Sequence, residues 1–169
     1  MEHKLVPDRF LNIKQMIEQY GNSLLRMCFL YLHDLHLAED AVQETYIKVY
    51  QNWDNFRRES SEKTWITSIA MNVCRTQLRK NWYKRVLLKN HVMQTGYYNA
   101  SLIEDDTVLK EIASLKPIYK EVILLFYYQE MKTKEIAVAL NVTETVVSVR
   151  LNRARKQLKQ KLEGWFLNE

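Results

Sequence analysis

The stretch Lys134-Glu135-Ile136-Ala137-Val138-Ala139-Leu140-Asn141-Val142-Thr143-Glu144-Thr145-Val146-Val147-Ser148-Val149-Arg150-Leu151 leaves the chain few ways to fold. Ile136 and Leu140 lie one helical turn apart and need a common apolar partner. Ala137 is small enough to let a second helix approach closely. Asn141 tolerates the left-handed backbone that a tight turn requires. Val142, Val147 and Leu151 then repeat at helical spacing on the far side of the turn. The pattern is that of a helix-turn-helix, spanning roughly residues 131–161. The outer face of its second helix fits the major groove of duplex DNA, with Ser148, Asn152, Arg153 and Arg155 placed to meet bases or phosphates. An αα-hairpin in an ordinary bundle shares the periodicity, but not the small residue, the turn residue and the basic run together.

The rest of the chain reads as helical too. Only 3 Gly and 2 Pro occur in 169 residues, too few for a protein built on tight turns. Apolar spacing predicts helices over residues 9–20, 22–33, 38–53 and 62–85, the first ended by Gly21. Phe10, Ile13, Ile17 and Tyr20 mark the inner face of the first. Trp65, Ile66, Ile69, Ala70 and Val73 mark that of the last. Periodicity fades between residues 86 and 105, which reads as a linker. Beyond it, helices are expected at 106–115, at 117–130 with Pro117 in the first turn, and at 134–140. The last begins after Thr143, a plausible cap. The expected fold is all-α: domains over 1–88 and 106–169, joined by a flexible linker over 89–105, the second domain a helix-turn-helix.

The net charge of +5 favours an anionic partner, and its distribution says more. No Asp or Glu occurs between Lys63 and Ile103, a stretch that holds Arg75, Arg79, Lys80, Lys84, Arg85 and Lys89. None occurs between Thr145 and Leu162, where Arg150, Arg153, Arg155, Lys156, Lys159 and Lys161 stand. Acids gather at Asp34, Glu39, Asp40 and Glu44 instead. Such blocks mark separate surfaces for separate partners. On residues 38–53, Asp40, Gln43 and Glu44 share one exposed stripe. On residues 62–85, Asn72, Arg75, Thr76, Arg79 and Lys80 share a face opposite the Trp65 stripe, suited to phosphates and base edges. Either stripe alone is also compatible with an ordinary solvated face.

Three segments resemble, in order, the bacterial sigma-70 family. Residues 38–50 (Ala-Glu-Asp-Ala-Val-Gln-Glu-Thr-Tyr-Ile-Lys-Val-Tyr) resemble the part that docks on the β′ clamp helices of RNA polymerase. Trp65-Ile66-Thr67-Ser68-Ile69-Ala70-Met71-Asn72, followed by Arg75, Leu78, Arg79 and Lys80, resembles the part that recognises and melts the promoter −10 element. The stretch from Leu115-Lys116-Pro117 to Leu158, containing Arg150-Leu151-Asn152-Arg153-Ala154-Arg155, resembles the −35 reader. Two domains with a short linker match the extracytoplasmic-function (ECF) subfamily, and the likeness covers about residues 9–162. It implies a promoter-opening initiation factor that binds the polymerase core through Asp40, Gln43, Glu44 and Lys48, with the β flap as a further contact. It implies −10 contacts at Asn55, Arg57, Arg58, Ser60, Asn72, Arg75, Thr76, Arg79 and Lys80, and −35 contacts at Ser148, Val149, Arg150, Asn152, Arg153 and Arg155. Loop 52–61 would hold a flipped base; Ser61 adds a further hydroxyl there, and Phe56 either stacks on that base or anchors the loop. An anti-sigma factor, often membrane-bound, is the usual regulator. At the positions of the family's common Lys or Arg followed by Ser stand Ser148 and Val149, and Val149 can touch only a thymine methyl or a sugar edge.

A stand-alone helix-turn-helix regulator is the alternative reading, although a ligand-sensing domain needs neither stripe. Enzymatic motifs are missing: there is no Walker, glycine-rich or Ser-His-Asp pattern. His33 and His36 have no third ligand nearby, so neither metal nor cofactor is expected. Cys28 and Cys74 sit in apolar patterns, as buried free thiols would. With no apolar run near 18 residues and no signal segment, a cytoplasmic monomer without membrane insertion is expected.

Overall fold

The computed structural model describes residues 6–87 and 106–166, and the linker expected over 89–105 lies outside the described residues. Among the described residues seven α-helices follow in order: α1 Val6–Leu32, α2 Leu35–Gln51, α3 Glu62–Leu87, α4 Asp106–Ser114, α5 Pro117–Ile123, α6 Thr133–Leu140 and α7 Glu144–Phe166. A 3₁₀ turn, Trp53–Asn55, follows α2, and a π-helical turn, Leu124–Tyr128, extends α5. No strand occurs among the described residues. The fold is all-α, as the composition requires.

The first two predicted helices are one. Gly21 lies inside α1 instead of ending it. The reason is tertiary: α2 packs on α1, and the Tyr46 hydroxyl donates to the Met16 carbonyl at 3.2 Å beside the glycine. Burial and a neighbouring thiol group at Cys28 push the Tyr46 phenol up to about 12, so it stays a donor. The uninterrupted helix also shifts its inner stripe. Ile13, Met16, Leu24 and Met27 are buried, while Phe10 and Ile17, expected inside, are 65% and 46% exposed. Helix α2 starts three residues early because the Asp34 carboxylate accepts from the Leu37 N–H at 2.9 Å. Cys28 and Cys74 are buried free thiols. The hydrogen bond with Cys28, then burial, pushes the Cys74 thiol far above its ordinary range, which keeps it unreactive.

The second domain follows its local signals closely. Pro117 occupies the first turn of α5. Asn141 ends α6 at φ 54°, ψ 50°. The Thr143 hydroxyl accepts from the Val146 N–H at 3.3 Å and opens α7. Ile136, Val147, Leu151 and Ala154 form its centre. The capping residue of α6 is Lys132, with the Glu135 carboxylate accepting from the Lys132 N–H at 2.8 Å.

The two domains pack together. Helix α6 lies against α3, and both α4 and the π-helical turn lie against α1. The contact is built around polar side chains that are themselves buried: Lys120, Glu121 and Gln129 are 7%, 3% and 2% exposed.

Gly21 carries no positive φ, and a Cβ built there meets its first neighbour, the Tyr46 hydroxyl, at 3.7 Å, ordinary van der Waals contact. Gly21→Ala is therefore expected to stabilise the protein by about 0.5–1 kcal/mol, read as a higher urea midpoint.

Candidate nucleic-acid interface

Helix α3 turns one face inward through Ile66, Ala70, Val73 and Cys74. The 3.6-residue repeat then sends Asn72, Arg79 and Lys80 outward, all exposed, with Thr76 half-buried beside them. Neither Arg79 nor Lys80 is ion-paired among the described residues. Arg75 shares the stripe but points at the other domain. Its Nε and Nη2 donate to Oε1 and Oε2 of Glu121, both at 2.7 Å. The Tyr31 hydroxyl donates to the same Oε1 at 3.0 Å. The hydrogen bond to Glu121 raises the Arg75 guanidinium further above its ordinary range, outweighing desolvation. Burial first, then the Glu121 charge, pushes the Tyr31 phenol up as well.

Further bonds complete the domain contact. Gln129 donates to the Ser23 carbonyl at 2.8 Å and accepts from its hydroxyl at 3.3 Å. Lys120 Nζ stands 3.1 Å from His33 Nε2. Burial lowers Lys120 to about 8. Burial, and then the Lys120 charge, lowers His33 to about 4.

Loop 52–61 is fixed at both ends. Phe56 stacks on Trp65 with centroids 4.4 Å apart and planes 17° apart, and Trp53 meets Trp65 edge-on at 6.1 Å. Phe56 thus anchors the loop, and Trp65 is half-buried, packing against the core on one side and lining the cleft between α2 and α3 on the other. Ser61, read as a free donor and acceptor, instead caps α3, accepting from the Thr64 N–H at 3.1 Å. Arg57 and Arg58 are exposed, and Arg58 sits at φ 58°, a left-handed backbone held by this short connection. Asn55, exposed, and Ser60, half-buried, complete the loop's polar set. A cleft of about 380 Å³ between α2 and α3 brings Asn55, Asn72 and Thr76 together with Glu44 and Lys48. Some members of the two sets read separately from the sequence therefore share one concavity, while Asp40, Gln43, Arg57, Arg58, Ser60, Arg79 and Lys80 lie outside it.

On α2 the buried face is Ala38, Ala41, Thr45 and Val49. Asp40 and Gln43 are exposed on the other side, with Glu44 half-buried and 3.5 Å from Lys48. On α7 the outward residues are Ser148, Val149, Asn152, Arg153 and Arg155, with Arg150 half-buried. Arg155 is steadied from its own domain: Nε donates to the Tyr127 hydroxyl at 2.9 Å, and the guanidinium lies over the Phe126 ring at 5.0 Å. Val149 lines an apolar groove of about 250 Å³ with Ile118, Tyr119 and Val146, flanked by Arg150 and Arg153. No group of three or more potential metal ligands occurs among the described residues. No helix there is long and apolar enough to cross a membrane.

An acid-faced helix, a basic helix and a helix-turn-helix follow in that order, three distinct surfaces on one chain. The comparisons narrow this. The profile described as Sigma-70 region 2 matches residues 16–83, and that described as Sigma-70, region 4 matches residues 105–158. The RNA polymerase sigma factor YlaC of Bacillus subtilis (strain 168) is 30% identical, over 89% of this chain and 92% of that protein. The ECF RNA polymerase sigma factor SigW of the same organism is 28% identical, over 92% and 89%. A solved complex of the sigma factor RpoE with the anti-sigma factor NepR from Bartonella quintana shares the fold, with a TM-score of 0.78 at 21% identity, over 90% of this chain and 97% of that one. CnrH, solved in complex with the cytosolic domain of CnrY, superposes with a TM-score of 0.72 at 22% identity, over 90% and 88%. The chain belongs to the ECF subfamily of the sigma-70 family and is an RNA polymerase sigma factor.

Burial of His33, reinforced by the Lys120 charge beside it, makes the fold sensitive to acid. His33 holds its proton less readily folded, at about 4, than unfolded, near 6.5. Between those values the unfolded chain binds more protons, so stability is full above pH 6.5 and falls toward pH 4, by at most about 1.4 kcal/mol per pH unit from this residue. Urea midpoints measured from pH 7.5 to 4.5 are expected to fall more steeply for the native chain than for His33→Asn. Asn suits the left-handed backbone at that position, where φ is 56°.

Proposed function

We propose that the protein docks on the core polymerase through the α2 face, opens promoters at the −10 element through α3 and loop 52–61, and grips the −35 element with α7. The observation that carries this is the pairing of two outward basic faces, free of acids over residues 63–87 of α3 and 145–162 of α7, with an acidic and amide face on α2. Asp40, Gln43, Glu44 and Lys48 form the polymerase contact, with the β flap engaging the second domain. Asn55, Asn72 and Thr76 line the cleft that receives a flipped base. Arg57, Arg58, Ser60, Arg79 and Lys80 hold the strand around it. Flipping needs a few kcal/mol, which the cleft's amides and hydroxyl return as hydrogen bonds. Arg75 joins them only once the domains part, because Glu121 occupies it in the packed arrangement. At −35, Arg150, Arg153 and Arg155 meet phosphates and base edges, Ser148 and Asn152 meet base edges, and Val149 meets a thymine methyl.

The same reading places the protein in the cytoplasm as a monomer, needing neither metal nor cofactor. An anti-sigma factor, membrane-bound or soluble, that covers the α2 face is the natural regulator; RpoE and CnrH, which share the fold, were each solved with a bound partner.

Retention of core polymerase by the purified protein, followed by run-off transcription on a genomic library, tests the proposal; stable dimers on palindromic DNA with no core binding would defeat it. Asp40→Lys combined with Glu44→Lys is expected to weaken core binding at least about tenfold while leaving −35 duplex affinity intact, since rim charges of this kind act on association. Arg153→Ala is expected to weaken −35 duplex binding about 5- to 150-fold. If that residue meets phosphate, the loss is uniform across sequences and the salt slope drops by about 1; if it meets a base, discrimination at one position relaxes.

A further inference from the structure

The last third of helix α3 carries two aromatic rings that the core does not use. Trp82 and Tyr83 are 58% and 55% exposed. Their centroids lie 5.1 Å apart with planes at 75°. An edge-to-face pair covers at most one face of one ring, so π surface remains open to solvent. Contiguous apolar surface left open to solvent is a feature of interaction sites, and two neighbouring rings are a place to look for one.

Their register gives the site its direction. Asn72, Thr76, Arg79 and then Trp82 and Tyr83 follow one another at helical steps of three or four, so they share a stripe. From Asn72 to Tyr83 the stripe is about 16 Å long at 1.5 Å per residue. Arg79 and Lys80, both exposed, sit within it, and residues 63–103 contain no acid to compete. Cations beside open ring faces suit a single strand, whose phosphates and unstacked bases are both within reach. A duplex presents phosphates but no base faces, so the rings add nothing to duplex binding. An acidic protein surface satisfies the cations, yet leaves two stacking faces without planar partners.

We infer that Trp82 and Tyr83 form a stacking platform for unpaired bases of the opened DNA strand, continuing the line that begins at the α2–α3 cleft, with Arg79 and Lys80 holding the intervening phosphates. The inference rests on the promoter-opening reading and extends it to residues outside the cleft. It divides the labour along α3: the cleft selects a base by hydrogen bonds, and the tip retains the strand through stacking, which tolerates any sequence.

The test uses holoenzyme assembled from the full chain and core polymerase. The probe is a fluorescein-labelled single strand from a promoter on which the native holoenzyme initiates, beside the same sequence as duplex. Trp82→Ala with Tyr83→Ala is expected to lose about 5- to 150-fold in single-strand affinity, the range that stacking strength per base implies. Trp82→Phe with Tyr83→Phe should stay within about threefold of native. Duplex affinity, core affinity and thermal midpoint should be unchanged, since both rings are outside the core. Unchanged single-strand affinity of the alanine pair overturns the inference. So does an equal loss on strand and duplex, or a loss of core affinity alone, which would assign the rings to a protein surface. Failure of the native holoenzyme to initiate on any promoter would instead overturn the promoter-opening reading.

Discussion

The arrangement of the two halves depends on one buried carboxylate. Glu121 is 3% exposed and lies on a helix whose neighbours Val122, Ile123, Leu124 and Leu125 are all core. A charge so placed is tolerable only if its lone pairs are filled. Two guanidinium hydrogens of Arg75 and the hydroxyl of Tyr31 fill them, and both donors come from the other domain. Removing either donor leaves a partly satisfied charge rather than a slightly weaker contact, so the domains' relative position is set by chemistry more than by shape. Gln129 works in the same sense at the other end of the contact, bonding Ser23 twice.

Much of the second domain was legible because its signals are local. Pro117, Asn141 and Thr143 each act within a few residues of themselves, and each does in the structure what its backbone chemistry requires. Gly21 was misleading for the same reason. A glycine after an amphipathic run is a stop signal unless something distant favours continuation, and here Tyr46, from another helix, does so. The α3 stripe was legible in register, yet the partner of Arg75 was not, because no periodicity reveals which surface another domain will cover. A signal did exist on the other side: Lys120-Glu121 interrupts a run that is otherwise apolar, and charges in such a run need partners.

The candidate site shows a similar division. Outward placement of Asp40, Gln43, Asn72, Arg79, Ser148, Asn152 and Arg153 follows from helical spacing alone. Occupation of Ser61 by a helix cap, the stacking of Phe56 on Trp65 and the tether from Tyr127 to Arg155 do not, because each depends on how a loop or neighbouring helix closes. Trp82 and Tyr83 fell between these cases. Their type and spacing were visible, but only their exposure separates them from the core aromatics upstream.

The polar character of the domain contact has a consequence for what happens when it opens. A contact made largely of alkyl surface leaves sticky faces behind when it separates, and the parts then aggregate or refuse to part. Lys120, Glu121 and Gln129, once freed, are ordinary water-loving surface, as are Arg75 and Ser23 opposite them. The polar part of the contact, unlike the apolar packing of α6 on α3, therefore opens into water without leaving a sticky face.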